Sequence, residues 1–166
     1  ESAITDFSAS LQLGSKANAD VYTARAEARI YMNDFESALE DLNAAIELDG
    51  ENLNNYYNRA ILLEDLNKYD LAVKDYTLVI DKNPADGLAY FNRANCYTQT
   101  NDLARAVLDL KKAAELDAQN MDYWRVLGNT KYQLNQLDDD PCSDWKKASD
   151  LGDKKSAFAV KNYCGK

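Results

Sequence analysis

Two nearly identical strings, YYNRA at residues 56–60 and YFNRA at residues 90–94, decide the fold class of this chain. They stand 34 residues apart, and the equivalent aromatic residues Tyr22 and Trp124 stand 34 residues to either side. A fixed period of this length indicates a repeat architecture, in which one small structural unit is copied along the chain. The period predicts four repeats, which begin near residues 19, 53, 87 and 121.

Small residues recur at fixed positions within each repeat. Position eight is small in all four repeats, and position twenty is alanine in three of them. Alanine, leucine, glutamate and lysine dominate the segments between breaks such as 33–34, 67–68 and 101–102, and apolar residues recur there at three- and four-residue spacing, which favours helix. Each repeat is therefore predicted to be two closely packed helices. The small residues are Ala26, Ala60, Ala94 and Gly128 at position eight, and Ala38, Ala72 and Ala106 at position twenty.

These positions resemble the pattern of the tetratricopeptide repeat (TPR) family. The chain shares the aromatic residue at position four, the small residues at eight and twenty, and an aromatic residue or leucine at twenty-four. It departs at position seven, which is arginine in three repeats, and at position thirty-two, where proline remains only as Pro84. The resemblance implies an all-α fold, a right-handed superhelical α-solenoid of helix-turn-helix repeats with a C-terminal capping helix. The ending around Trp145 and Leu151 is similar to bacterial members, so a bacterial protein is expected.

The same spacing predicts how the chain is divided. The first residues match the second helix of a preceding repeat whose first helix is absent, so a fragment of a longer array is expected. In the last repeat three aspartates and Pro141 replace the usual start of the second helix, which predicts a distorted entry with Pro141 in the first turn. The expected segments are the second helix of a truncated preceding repeat (1–18), repeat 1 (19–52), repeat 2 (53–86), repeat 3 (87–120), a degenerate repeat 4 (121–153), and a capping helix with a tail (154–166).

Charged residues also recur at fixed positions: an aspartate at position twenty-three of every second helix, and an arginine at position seven of three first helices. They are either charge sites for a ligand or structural ion pairs that satisfy partly buried groups. Copying into every repeat favours structural pairs, formed within one repeat, which leaves the aspartates of the two repeats without arginine unpaired. The aspartates are Asp6, Asp41, Asp75, Asp109 and Asp144, and the arginines are Arg25, Arg59 and Arg93.

The first helices are expected to line the concave side of the superhelix and to expose positions two, five, six, nine, twelve and thirteen. Asn58 and Asn92 could hydrogen-bond the backbone of an extended peptide, because an amide both donates and accepts. Solvation or capping of neighbouring groups explains these asparagines equally well. Tyr57 and Phe91 would offer pockets for apolar side chains of the peptide. The candidate groove residues are Tyr57, Asn58, Ile61, Phe91, Asn92, Asn95, Arg125 and Asn129.

The negative net charge of the chain favours a protein or peptide as the partner. The formal net charge of -9 argues against nucleic acid, whose phosphates would meet net like charge. Related co-chaperones hold the acidic tail of heat-shock chaperones with lysines, an arginine and asparagines, and only one of the five matching positions here agrees. A neutral or basic extended segment is therefore expected, with chaperone tails disfavoured and self-association as a weaker expectation. The five positions are Thr23, Glu27, Asn58, Leu88 and Asn92.

Catalysis, a cofactor and a metal are not expected. The chain has no histidine, which removes Ser-His-Asp, Cys-His and HExxH arrangements. It has no glycine-rich phosphate loop, the aspartates at 138–140 lack the spacing of a calcium loop, and no apolar run approaches the roughly 20 residues of a membrane span. The expected function is a non-catalytic protein–protein interaction scaffold. The alternative is an accessory region of a longer protein whose missing part carries an enzymatic, sensory or membrane domain; the compartment, cytoplasmic or periplasmic, stays open.

The three cysteines are too scattered for a zinc site. Cys96 falls at a small, buried position of a first helix and is expected to be inert. Cys142 and Cys164 lie about equally far on either side of the turn at 151–153, so two antiparallel helices would bring them level. Two packed thiols are favoured over a disulfide, which requires a Cα separation below about 7 Å.

Overall fold

A computed structural model describes residues 2–12, 18–135 and 140–165 of the chain. The described residues form helices and no strand, which confirms the predicted all-α class. The chain divides into two compact units, an N-terminal unit (Glu1–Val79) and a C-terminal unit (Ile80–Lys166). The helices are α1 (Ser2–Gln12), α2 (Ala19–Tyr31), α3 (Phe35–Leu48), α4 (Leu53–Asp65), α5 (Tyr69–Lys82), α6 (Gly87–Gln99), α7 (Leu103–Leu116), α8 (Met121–Leu134), α9 (Cys142–Asp150) and α10 (Lys154–Tyr163).

An asparagine in the left-handed conformation follows the first helix of each repeat. Asn33, Asn67, Asn101 and Asn135 have φ values of 60°, 56°, 60° and 51°. Asparagine tolerates this region better than most residues that carry a Cβ. In the first three turns the next residue donates its N–H to the carbonyl five residues earlier, at 2.7–2.9 Å, which closes the helix as a Schellman motif. The 34-residue period therefore extends to the backbone of the turns.

The start of each first helix is fixed by a polar side chain just before it. Asn18 and Asn52 accept a hydrogen bond from the N–H two residues on, at 3.0 and 3.1 Å. Asn120 does the same for α8, and Asp86 accepts from the N–H three residues on for α6. These caps satisfy N–H groups that have no partner inside the helix, and so set where each helix begins.

The small residues of the repeat pattern lie in the core of each unit. In the N-terminal unit Ala26 and Ala38 pack with Leu42 and Leu62, and none of the four is more than 1% exposed. In the C-terminal unit the cores include Ala94, Ala106 and Leu110, all fully buried. Side chains without bulk allow the helix backbones to approach closely, as the sequence predicted. No helix of the described residues is both long and apolar enough to cross a bilayer.

In repeat 4 a small residue on the first helix is compensated by a large residue on the second helix. Position eight is Gly128, and a Cβ built there would lie 2.5 Å from Cδ1 of Trp145, whose side chain is buried. Trp145 therefore occupies the space that alanine fills in the other repeats. The helix that carries it, α9, begins at Cys142, so Pro141 is its N-cap residue and does not lie inside the first turn as predicted. Residues 136–139, where most of the distorted entry was expected, lie outside the described residues.

Gly128→Ala is expected to lower the free energy of unfolding by about 1–3 kcal/mol, because the new methyl group overlaps a large buried ring. This outcome opposes the gain of about 1 kcal/mol that alanine normally brings to a helix interior. Gly87→Ala is the control, since a Cβ there meets its nearest neighbour at an ordinary 3.4 Å. Urea unfolding of both variants makes the measurement. A Gly128→Ala protein as stable as the wild type would contradict the packing described here.

The disulfide between Cys142 and Cys164 corrects the expectation of two packed thiols. The two Cα atoms are 5.7 Å apart, within the range that a disulfide requires. α9 and α10 pack against each other as an antiparallel pair, so the first residue of α9 lies beside the residue that follows α10. The bond therefore ties the last helix to the degenerate repeat. Cys96 lies fully buried in α6, as predicted.

Reduction of the wild-type chain is expected to lower its stability by about 3 kcal/mol, because the bond closes a loop with a sequence separation of 22 residues. The measurement is thermal unfolding with and without dithiothreitol. Cys142→Ser with Cys164→Ser serves as the control, since its melting temperature should equal that of the reduced wild type and should not respond to the reductant. Identical melting curves for oxidised and reduced wild type would show that the bond does not stabilise the cap.

Candidate peptide-binding surface

The arginine at position seven pairs with the aspartate at position twenty-three of the same repeat, which confirms the predicted pairing within repeats. In repeat 2, Arg59 donates from Nε and Nη2 to the two carboxylate oxygens of Asp75, both at 2.8 Å. Two parallel charge-assisted hydrogen bonds fix the guanidinium in one plane. The arginines are therefore held between the two helices of a repeat. The equivalent pairs are Arg25 with Asp41 and Arg93 with Asp109.

Arg25 and Arg59 also contact the preceding second helix, and all three arginines contact the aromatic residue at position four. Arg25 donates from Nη1 to Ser8 at 3.1 Å, and Arg59 donates from Nη1 to Asn43 at 2.8 Å. Each guanidinium lies 5.5–5.6 Å from the ring centre of the tyrosine three residues before it. The hydrogen bond to Asp41 raises the pKa of Arg25 above its ordinary value, against the opposing effect of burial. These arginines remain charged and face the packed helices.

Asp144 is paired, and the prediction that it has no partner is wrong. Lys131 donates from Nζ to its carboxylate at 2.6 Å, and the two side chains are only 6% and 5% exposed. Lys131 lies at position eleven, one turn beyond position seven on the same helix face. Arg29 occupies the same position in repeat 1 and donates to Asp41 at 2.7 Å. The repeated aspartate therefore takes its cation from either of two positions.

The other aspartate expected to be unpaired, Asp6, is exposed on α1, and no cation of the described residues contacts it. The pairs found in the four complete repeats have structural roles. The candidate binding residues lie on other positions of the first helices.

In the N-terminal unit the candidate residues Tyr57, Asn58 and Ile61 lie on α4. Ile61 is 41% exposed, and with Asn58 it lines a cleft of about 180 Å³ whose other wall is Glu27 and Ile30 of α2. Asn58 is half-buried. The cleft is therefore formed by positions nine and twelve of one repeat and positions six and nine of the next.

The ring of Tyr57 is half-buried and does not protrude as predicted. It packs edge-on against Tyr76 of α5, with ring centres 5.5 Å apart. Tyr76 is fully buried and its hydroxyl donates to Glu64. Aromatic packing therefore fixes Tyr57 in place and leaves part of its surface accessible.

In the C-terminal unit the candidate aromatic Phe91 is also half-buried, against the expectation of an exposed ring. It packs on Tyr123 of α8, with ring centres 4.9 Å apart. Asn92 and Asn95 lie beside it on α6 and are half-buried. This part of α6 thus presents an apolar ring flanked by amides.

The two candidates on α8 are already engaged within the C-terminal unit. Asn129 accepts a hydrogen bond from Nε1 of Trp145 at 2.9 Å. Arg125 is paired with Asp122 on its own helix, and its Nε lies 3.9 Å from Asp153. Burial raises the pKa of Asp153, but hydrogen bonds from Ser156 and the charge of Arg125 lower it overall. Asn129 and Arg125 therefore have structural roles that the sequence did not indicate.

Sequence reasoning also missed a buried polar contact behind the surface. Thr23 donates to Oδ1 of Asn55 at 2.7 Å, and Asn55 is fully buried. No hydrogen-bond partner of its Nδ2 occurs among the described residues. The available signal was the polar residue at position three, where the other repeats carry Val21, Ala89 and Tyr123.

The pair in repeat 4 offers a test of the structural role of the ion pairs. Lys131→Met is expected to lower the free energy of unfolding by about 3–5 kcal/mol, because it leaves Asp144 charged and buried without its cation. The double variant Lys131→Met with Asp144→Leu should recover most of this loss. Urea unfolding measures all three proteins. A double variant less stable than the single one would contradict the role proposed for the pair.

Comparison with known proteins identifies the repeat. A family model described as tetratricopeptide repeat matches residues 23–76 and 57–121. The DnaJ homolog subfamily C member 7 homolog of Dictyostelium discoideum is 31% identical over 105 residues, which cover 63% of this chain and 20% of that protein. The chain thus spans about a fifth of the length of this curated relative.

Two solved structures have similar folds. YrrB, a TPR protein with an unusual peptide-binding site, matches with a TM-score of 0.81 and 22% identity, covering 95% of this chain and 81% of its own. The first TPR of Spaghetti (RPAP3), bound to the HSP90 peptide SRMEEVD, matches with a TM-score of 0.68 and 21% identity, covering 72% and 94%. At these identities the likeness concerns the fold alone. A bacterial source stays a prediction.

The family model spans more than half of the chain, and the helices repeat its pattern of aromatic, small and apolar positions. The solved structures have the same all-α solenoid fold. The chain therefore belongs to the tetratricopeptide repeat family.

Proposed function

We propose that the chain is a non-catalytic protein-interaction scaffold that binds an extended peptide or a partner helix along the first helices of its repeats. The family and its relatives support an interaction scaffold in general terms. The observation that carries the proposal is the separation of roles along α4 and α6. On these two helices position seven holds a structural ion pair, whereas positions five, six and nine carry amides and apolar groups.

The asparagines at position six are proposed to hold the peptide backbone. Asn58 lies in the cleft of the N-terminal unit, and Asn92 has the equivalent position on α6. An amide side chain can donate to a peptide carbonyl and accept from a peptide N–H. The neighbouring rings of Tyr57 and Phe91 are already fixed by Tyr76 and Tyr123, so they would lose little freedom when a ligand packs on them.

We propose a neutral or basic peptide as the ligand. The Spaghetti structure holds a peptide with three acidic residues. Of the five positions that the co-chaperone resemblance compares, one agrees here, and Glu27 would repel a carboxylate. The proposed ligand therefore differs in charge from that of this structural neighbour.

A second proposal is that these repeats are the accessory part of a longer protein. The Dictyostelium relative supports it, because the matching segment is 20% of that protein. In both proposals the repeats bind a protein and any chemistry belongs elsewhere. The disulfide in the cap supports an oxidising compartment, since such bonds persist there.

The double variant Asn58→Ala with Asn92→Ala is expected to weaken capture of the partner by the tagged chain, because two backbone-binding amides are lost. Its melting temperature should stay at the wild-type value, since both side chains are only half-buried. Quantitative pull-down from the native source, with circular dichroism melting, makes the comparison.

Asn83→Ala is the control, because Asn83 is exposed between α5 and α6 and lies outside the first helices. It should capture as much partner as the wild type. If the double variant also captures as much partner as the wild type, the surface formed by Asn58 and Asn92 on α4 and α6 is not the binding surface.

A further inference from the structure

We propose that the cleft between α2 and α4 is a pocket for a lysine or arginine side chain of the bound peptide. The cleft is lined by Glu27, Ile30, Asn58 and Ile61, and is called the basic-residue pocket below. The inference rests on the proposed peptide-binding function and adds the class of residue that one site selects.

The walls of the basic-residue pocket suit a long aliphatic stem. Ile30 and Ile61 supply apolar surface on opposite helices, and Ile61 is 41% exposed. Lysine and arginine bury their methylene groups along such surface while the charged head stays near water. A cleft of about 180 Å³ that opens to solvent has room for one side chain of this kind.

The rim of the basic-residue pocket carries a carboxylate that is not used by the fold. Glu27 is exposed, and no ion pair joins it to any cation of the described residues. The cations nearest in sequence, Arg25 and Arg29, both donate to Asp41 on α3. Their charges are therefore committed to the helix interface, and the carboxylate of Glu27 is available to a ligand cation.

The surrounding first-helix positions favour a cation as well. In repeats 1 and 2 the positions expected to face a partner include four carboxylates and no lysine or arginine. Like charges on one face add to a local potential that attracts positive groups and repels negative ones. The four residues are Asp20, Glu27, Glu64 and Asp65.

A purely apolar side chain fits the basic-residue pocket less well. Covering the cleft with hydrocarbon alone would remove water from the carboxylate of Glu27 and from the amide of Asn58 without replacing their hydrogen bonds. An ammonium or guanidinium group supplies donors to Glu27 and to the amide oxygen of Asn58. The polar rim therefore selects a basic residue.

The test uses the full chain and a positional-scanning library of hexapeptides with acetylated N-termini and amidated C-termini. The wild type is expected to enrich lysine or arginine at one peptide position. Glu27→Lys should abolish this preference and select aspartate or glutamate there. For a single peptide taken from the wild-type selection, Glu27→Lys should weaken binding by about tenfold or more.

Glu40→Lys is the matched control, because it makes the same charge change at an exposed position of α3 outside the cleft. It should keep the wild-type preference and stay within about twofold in affinity, as expected for a solvent-screened charge that does not line the cleft. Ile61→Ala keeps every charge and should weaken the same peptide severalfold, because it removes one apolar wall. Glu27→Lys and Glu40→Lys are expected to melt at the wild-type temperature, since both residues are exposed. Ile61→Ala should melt slightly lower, because more than half of Ile61 is buried, so its affinity is measured well below its melting temperature.

The outcomes separate this inference from the proposed function. Library binding without a basic preference, or a basic preference that persists in Glu27→Lys, overturns the basic-residue pocket and leaves peptide binding intact. Equal losses in Glu27→Lys and Glu40→Lys also overturn it, because net charge would then account for the effect. If no peptide binds and Asn58→Ala with Asn92→Ala captures as much partner as the wild type, the proposed function and the pocket fail together.

Discussion

The charge-assisted contact between an arginine or lysine of the first helix and the aspartate at position twenty-three organises each repeat. A carboxylate that is only 2% exposed, as Asp41 is, must keep its cation, because a buried unpaired charge is costly. In repeats 1 and 2 the arginine also bonds the preceding second helix, through Ser8 and Asn43. In these two repeats one side chain therefore links the two helices of the repeat to the helix before them.

This constraint also determines which charges the surface presents. In repeats 1 and 2 the arginines on the first helices donate to buried aspartates, so the charged groups at the positions left for a partner are all carboxylates. The unusual arginine at position seven, which departs from the family pattern, would thus act indirectly on the ligand preference proposed above. It removes positive charge from the surface without removing it from the chain.

The period of the sequence was enough to predict the helices, their small-residue contacts and the pairing of Arg59 with Asp75. These depend on spacing within one repeat, which the sequence displays directly. Features that depend on the length and orientation of a side chain were not predictable. Lys131 replaces the missing arginine from a position one helical turn away. Tyr57 and Phe91 pack against aromatic rings of other helices. The disulfide could not be predicted because it depends on the distance between α9 and α10, and the number of residues between the two cysteines does not determine that distance.

The turn after each first helix contains a left-handed asparagine and is closed by hydrogen bonds between residues that are close in sequence. Asn33 and Asn67 close their helices through backbone hydrogen bonds that reach only three to five residues back. The contacts that define a helix pair are therefore close in sequence, and the contact order is low. Chains of this kind can nucleate at several repeats and extend from each, which is typical of fast-folding repeat proteins.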